Sequence, residues 1–466
     1  MSSIHAWVII GKSMKIVLVR PNYESHIITP PLGIGYLASS LKKNGIKVKI
    51  IDGVKDNLSL DQLLKTINQA KPDAVGITCL TSFYEEVVNL SQALKQQNLK
   101  VIIGGVHPTF LPYETLVDSK ADYVVCGEGE IALVKLAKNK FVNRNIPGVY
   151  SLKNLKPGGV TGKAEIITNL DNLPFPDWRQ LDPRTYPKAP HGAVVKNYPI
   201  GVIMTTRGCP YQCTFCASRR FYDIRTRFRS PENVIKEIKY LVKNFGVREI
   251  HFEDDNLTLK REHIEKICQL IIKNNLKVNW SCPNGIRADR VDEPLIRLMK
   301  QSGCYFFAFG IESANPKILK NIKKMESIEV IKKSIEMATK VGIECQGFFI
   351  FGLPGETKKT IKESIQFAKN SKLTRAHFMI LDVLPGSQLW DQLKGQFKPN
   401  WRKNSYKEPE WLPKGLTKKQ LMEAQTQAIR EFYLRPVYLF RLVKSIKLQQ
   451  IPFLIKRLIS YRLIKF

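Results

Sequence analysis

Acidic side chains are scarce in this chain. It has 41 Asp and Glu against 73 Lys and Arg over 466 residues, a net charge of +32. An anionic partner is implied: nucleic acid, an anionic membrane surface, or a phosphorylated or carboxylated ligand. Many of the lysines are scattered, so a lysine-rich habit accounts for the charge about as well. No uninterrupted apolar run approaches the ~20 residues that cross a bilayer, which excludes a hydrophobic spanning helix. The nine cysteines form no regular framework, which argues against a disulfide scaffold and for a reducing, cytoplasmic setting. Residues 1–13, MSSIHAWVIIGKS, lack a basic first region and a cleavage-like end, so no signal peptide is expected. No internal repeat or low-complexity tract is evident. A hydrophobic share of 44% argues against disorder, and the length calls for about two or three domains.

What is present centres on Arg207 to Phe221, RGCPYQCTFCASRRF. Cys209, Cys213 and Cys216 stand on one short stretch. Thiolates suit iron–sulfur clusters. Three of them can hold three irons of a four-iron cluster and leave the fourth open to a small molecule. Zinc sites normally bring cysteine pairs twice. Cys79, Cys126, Cys268, Cys282, Cys304 and Cys345 lie singly and read as core thiols. The loop resembles that of the radical S-adenosylmethionine (radical SAM) superfamily, which has this spacing with an aromatic at the place of Phe215.

The first half alternates strands and helices. KIVLV (15–19), KVKIID ending at Asp52, DAVGIT (73–78), KVIIGG ending at Gly105 and a strand over 121–126 read as strands. Helices are expected over 32–43, about 60–70, about 83–96 and 130–138. This is the pattern of a doubly wound parallel sheet, whose ligands bind beyond the carboxyl ends of the strands. No G-x-G-x-x-G follows the first strand, so a dinucleotide fingerprint is absent. PPLGIGYLA, GGVHPT and GEGE look like the cobalamin-binding domain found ahead of many radical SAM domains. The resemblance covers about residues 14–140. It implies corrinoid contacts at Gly33, Gly35, Thr78, Gly104, Gly105, His107, Gly127 and Glu128. The D-x-H-x-x-G motif that carries a cobalt-binding histidine in many cobalamin proteins is absent, and His107 is expected near the corrinoid rather than on the cobalt.

Residues 141–195 read as a linker, rich in turn formers. From 196 to 400 strands and helices alternate again. REIHFEDDN ends in Glu253, Asp254 and Asp255, and acids so placed need cations or hydrogen-bond donors. GIES (310–313) and GLPGE (352–356) are similar to segments that position S-adenosylmethionine in the superfamily. By resemblance, its contacts are Phe215, Glu253 or Asp255, Glu312, Ser313, Gly352 and Pro354. The GGE segment of many relatives is missing its glycines here. The expected fold is therefore α/β: a Rossmann-like doubly wound sheet, then a partial (β/α)6 TIM-type barrel with its site at the strand carboxyl ends, then a helical tail over 401–466. After Pro436 the tail turns basic and amphipathic, with no acid beyond Glu431. It suits either an anionic membrane surface, as a peripheral contact, or packing on the barrel.

The resemblance implies a cobalamin-dependent radical SAM enzyme, a C-methyltransferase or cyclase. Its cofactors would be a [4Fe-4S] cluster, S-adenosylmethionine and cobalamin, and an electron donor such as flavodoxin or ferredoxin would serve it. The reduced cluster would cleave S-adenosylmethionine to a 5′-deoxyadenosyl radical, and an unactivated carbon of an apolar, lipid-like or tetrapyrrole-like substrate would be modified. Two other readings are a methylthiotransferase for tRNA or ribosomal protein, and a non-catalytic nucleic-acid-binding iron–sulfur protein. The first normally carries N-terminal cluster cysteines and a C-terminal β-barrel, and neither is seen. The second has no use for an open iron, so nucleic acid is not expected as a partner.

Overall fold

The computed structural model describes residues 14–25, 27–159, 161–188, 195–222, 225–401 and 409–435, together with 451 and 455. Apart from residues 451 and 455, the expected basic amphipathic tail beyond Pro436 lies outside the described residues.

The first sheet holds β1 (Lys15–Arg20), β2 (Lys47–Asp52), β3 (Ala74–Thr78), β4 (Val101–Gly104), β5 (Tyr123–Val125) and β6 (Val149–Tyr150) in the order β2-β1-β3-β4-β5-β6. The first five run parallel and β6 is antiparallel to β5. Helices α1 (Leu32–Lys43), α2 (Leu60–Ala70), α3 (Tyr84–Gln96), α4 (Val106–Phe110), α5 (Pro112–Ser119) and α6 (Gly129–Lys138) connect the strands. β1 is almost wholly apolar and buried, as a strand covered on both faces must be. Ser59 and Gln62 make a reciprocal capping box that starts α2. The sheet outruns its expected limit at residue 140, because β6 is drawn from the linker.

The second sheet holds β7 (Ile200–Ile203), β10 (Glu249–Phe252), β11 (Asn279–Ile286), β12 (Cys304–Glu312), β13 (Glu344–Phe351) and β14 (Arg375–Ile380), all parallel, in the order β14-β13-β12-β11-β10-β7. A short antiparallel pair, β8 (Thr206–Arg207) and β9 (Arg227–Phe228), lies outside it. The helices are α7 (Ser218–Tyr222), α8 (Pro231–Phe245), α9 (Arg261–Lys273), α10 (Glu293–Gln301), α11 (Pro316–Asn321), α12 (Ile328–Lys340), α13 (Lys358–Asn370), α14 (Gln388–Leu393) and α15 (Lys418–Tyr433). β7 and β14 end the order without pairing to each other, so the barrel is open on that side. α15 covers the open edge of β14. Tyr433 Oη donates to the Ala376 carbonyl at 2.8 Å and accepts from its N–H at 3.2 Å, and Gln425 Nε2 donates to the Phe378 carbonyl at 2.7 Å. An uncovered edge would leave such groups unpaired.

Connector residues Pro176 and Leu181 pack on α1, and Asp177 N donates to the Gly35 carbonyl at 3.1 Å. The carboxyl ends of the two sheets meet. Gly386, after β14, lies so close to the Phe110 ring of α4 that a Cβ there would stand 2.3 Å from it. Trp401 approaches His107 with ring centroids 5.7 Å apart.

Candidate active site

The loop between β8 and β9 carries all three clustered cysteines. All are free; Cys209 and Cys213 are half-buried and Cys216 is exposed. The loop is held by backbone bonds at its middle: Thr214 N donates to the Ile322 carbonyl at 2.9 Å, and Leu389 N to the Thr214 carbonyl at 2.8 Å. Between Cys209 and Cys213, the Tyr211 ring lies under the Arg287 guanidinium at 3.7 Å and its hydroxyl accepts from Arg290 Nε at 2.7 Å. Burial raises the Cys209 and Cys213 thiols, and the charges of Arg287 and Lys324 work against that rise. Among the described residues no three His, Cys, Asp or Glu side chains converge on a single metal ion. A four-iron cluster does not require that, since each thiolate takes a separate iron. Three free thiols on one anchored, cation-flanked loop fit such a cluster.

The three acids after β10 divide their tasks. Asp254 is buried, and its Oδ1 accepts from the amides and hydroxyls of Thr205 and Thr206 at 2.6–2.9 Å. Those threonines begin the run into the cluster loop, so Asp254 fixes where that run starts. Burial still pushes its carboxyl up to about 6. Asp255 accepts the Ser218 hydroxyl at the far end of the cluster loop. Glu253 is half-buried beside them, with its N–H on the Ile203 carbonyl at 2.9 Å. Asp254 and Asp255 thus meet hydroxyl and amide donors. Asp254 received no role in the sequence; the paired threonines ahead of Arg207 were the available signal.

Glu312 has φ +62° and is buried beside Lys324 Nζ at 3.2 Å. Lys324 also reaches Glu326 at 3.4 Å, and Arg287 reaches Glu326 at 3.6 Å. A Cβ on Gly310 would stand 2.5 Å from Glu312 Oε1 and 2.8 Å from Lys324 Nζ, so it would push on this ion pair. Lys324 and Glu326 were missed because KKM lies on an irregular turn with no motif of its own. Ser313 is fully buried, with its hydroxyl 3.4 Å from that of Ser364. Phe215 packs against the apolar cluster that contains Leu353 of the GLPGE turn. Glu356 Oε2 accepts from Gly352 N at 2.6 Å and Leu353 N at 3.1 Å, and burial pushes the carboxyl up to about 7. Pro354 is half-buried at the turn.

On the first sheet, Gly33, Thr78 and Gly104 stand at the expected edge. A Cβ on Gly33 would meet nothing within 4 Å, and on Gly104 nothing closer than 3.9 Å. This clearance fits a bulky ligand. Four expectations change. Gly35 makes room for Pro176 and Leu181 of the connector, each 2.8 Å from a Cβ there. Gly105, at φ +121°, makes room for the Cys79 carbonyl. Gly127, at φ +89°, faces Lys163. Glu128 is engaged with Arg227, with Arg207 at 3.4 Å and with the Ile167 N–H at 3.1 Å, which turns its carboxylate toward the barrel. On the barrel side, Gly352 similarly faces Leu421 of α15. In each case protein packs close to the glycine or acid. His107 is buried against Tyr84, ring centroids 4.2 Å apart, with Nδ1 3.1 Å from Thr81 Oγ1. Burial pulls its pKa down to about 3, so the ring is neutral, and its Nε2 has no hydrogen-bond partner among the described residues.

Comparison with known proteins fits this arrangement. A B12 binding domain profile matches residues 23–137, and the Radical SAM superfamily profile matches residues 203–368. An uncharacterized methyltransferase of Pyrococcus horikoshii is 35% identical over 448 residues, covering 92% of this chain and 95% of the relative. An anaerobic magnesium-protoporphyrin IX monomethyl ester cyclase of Rubrivivax gelatinosus is 28% identical, covering 91% of this chain and 78% of the relative. The radical S-adenosylmethionine methyltransferase TsrM of Kitasatospora setae, solved with tryptophan substrate and an S-adenosylmethionine analogue, superposes with a TM-score of 0.69 at 20% identity, covering 82% of this chain and 76% of that one.

Proposed function

The chain belongs to the radical SAM enzymes that carry a B12-binding domain, and from that premise we propose that it modifies an unactivated carbon of an apolar substrate, by methylation or cyclisation. Its cofactors are a [4Fe-4S] cluster, S-adenosylmethionine and cobalamin. The cluster, once bound and reduced, supplies the electron that cleaves S-adenosylmethionine to a 5′-deoxyadenosyl radical, and the corrinoid supplies methyl-transfer chemistry. Cys209, Cys213 and Cys216 would hold the cluster. Glu312 and the GLPGE turn would orient S-adenosylmethionine, with Glu253 or Asp255 near its amino group. Gly33, Thr78 and Gly104 would leave room for the corrinoid.

The observation that carries the reading is the meeting of the two sheets at their carboxyl ends, with Phe110 against Gly386 and the cluster loop between them. Ligands of open α/β sheets and barrels bind at those ends, so the two halves would share one site. The substrate class is supported by the barrel's inner face, where Phe348 is half-buried, His377 stands 5.6 Å from it and Met379 is exposed. The tetrapyrrole named for the cyclase relative is one member of that class.

The test is anaerobic reconstitution with iron and sulfide, with and without hydroxocobalamin. The expected outcome is a cluster spectrum, a tightly held corrinoid, and 5′-deoxyadenosine on reduction with S-adenosylmethionine. Alanine at Cys209, Cys213 and Cys216 should abolish cluster and cleavage together. A cluster without retained corrinoid would sink the cobalamin-dependent reading.

A further inference from the structure

We propose that Arg207 is a positioning residue that clamps the stem of the cluster loop to the cobalamin-binding sheet through Glu128 and Glu130. The proposal rests on the cofactor reading above. β8 and β9 form the stem of the loop that contains Cys209, Cys213 and Cys216, and Arg207 lies directly opposite Arg227 in that two-strand pair. Like charges directly opposite on antiparallel strands repel. The repulsion is met by carboxylates from the other half of the molecule. Glu128, in the turn after β5, pairs with Arg227 and stands 3.4 Å from Arg207. Glu130, in the first turn of α6, accepts from Arg207 Nη2 at 2.6 Å. The Tyr36 ring of α1 lies 5.2 Å from the Arg207 guanidinium.

All of these groups are buried; Arg207 is 5% exposed and Glu130 6%. Buried ion pairs are poor sources of net stability compared with apolar packing, and their usual merit is that they fix one arrangement. A guanidinium held by two carboxylates has little rotational freedom. The arrangement fixed here is the height of the cysteine loop over the sheet. Arg207 is two residues from Cys209, so anchoring Arg207 restricts where the cysteine run begins. Two cofactors that act on one substrate tolerate little error in their separation. The clamp thereby couples the corrinoid half to the radical-forming half.

The test compares wild type with Glu130→Gln, Arg207→Gln and the conservative Arg207→Lys, as full-length protein. In the apoprotein, amide hydrogen exchange of residues 206–222 should speed up about tenfold in Glu130→Gln, with a smaller change in β1 and β12. In protein loaded with cluster and hydroxocobalamin, Arg207→Gln should keep full iron and corrinoid content. The spin–spin interaction between the reduced cluster and cob(II)alamin in its paramagnetic resonance spectrum should weaken or broaden, and Arg207→Lys should restore part of it. Unchanged exchange and an unchanged spin interaction would overturn the clamp. So would exchange that rises equally everywhere with early unfolding, because the ion pairs would then serve general stability. If wild type takes up no corrinoid, the functional reading fails, and the exchange comparison still decides whether the stem is clamped.

Discussion

Individual residues in this protein owe their identity to neighbours that are remote in sequence. Gly35 is the clearest case, since a Cβ would stand 2.8 Å from both Pro176 and Leu181. Gly35→Ala is expected to destabilise the fold by about 1–3 kcal/mol through overpacking, measured as a loss in urea midpoint. Glu356 is buried and carries a carboxyl raised from an ordinary 4.5 to about 7 by that burial. The unfolded chain loses this proton first, so the contribution to stability is complete below about pH 4.5 and falls as pH rises to about 7. The full effect is at most ~3 kcal/mol. Apoprotein carrying Glu356→Gln keeps an acceptor for Gly352 N and should show a shallower fall over that window. Parallel pH profiles for the two proteins would rule this out. The importance of the GLPGE stretch was legible in the sequence, but the direction in which Glu356 turns was not, because its two amide donors come from the folded turn.

At the scale of elements, α15 has a covering role that the expectation of a helical tail left undefined. Its Tyr433 hydroxyl serves both backbone groups of Ala376 on the β14 edge. Tyr433→Phe leaves those groups without this partner and is expected to cost about 1–3 kcal/mol, with the added signature of faster amide exchange at residues 375–380. A variant with unchanged exchange there would remove α15 from this role. The elements themselves were largely legible. α1 and α2 coincide with the expected helices over 32–43 and 60–70, because apolar periodicity and caps are local. The short α4 in GGVHPT was not foreseen, since five residues with a proline give no period to read. β6 was read as linker for a similar reason: two residues acquire strand geometry only by pairing with β5.

The molecule is built on two largely parallel sheets whose carboxyl ends face each other across a buried seam. Gly386, at φ +83°, allows the turn after β14 to press against Phe110. Gly386→Ala should weaken corrinoid retention in an equilibrium titration while leaving iron content unchanged, and Phe110→Ala in the same chain should recover part of the loss by vacating the space. No recovery in the double variant would place the defect in the turn's backbone instead. No helix among the described residues is long and apolar enough to cross a membrane.

The sequence by itself determined the cysteine spacing and the order of strands and helices, because ligand type, periodicity and turn glycines are properties of neighbouring residues, and its resemblance to a known family pointed to two cofactor modules. Only the tertiary structure decided which glycines serve protein and which leave open space. Only it showed Glu128 and Glu130 turned onto Arg207 and Arg227 at the seam. Those roles depend on side chains brought together across about eighty to a hundred residues of chain, and on buried charges whose partners no local pattern specifies.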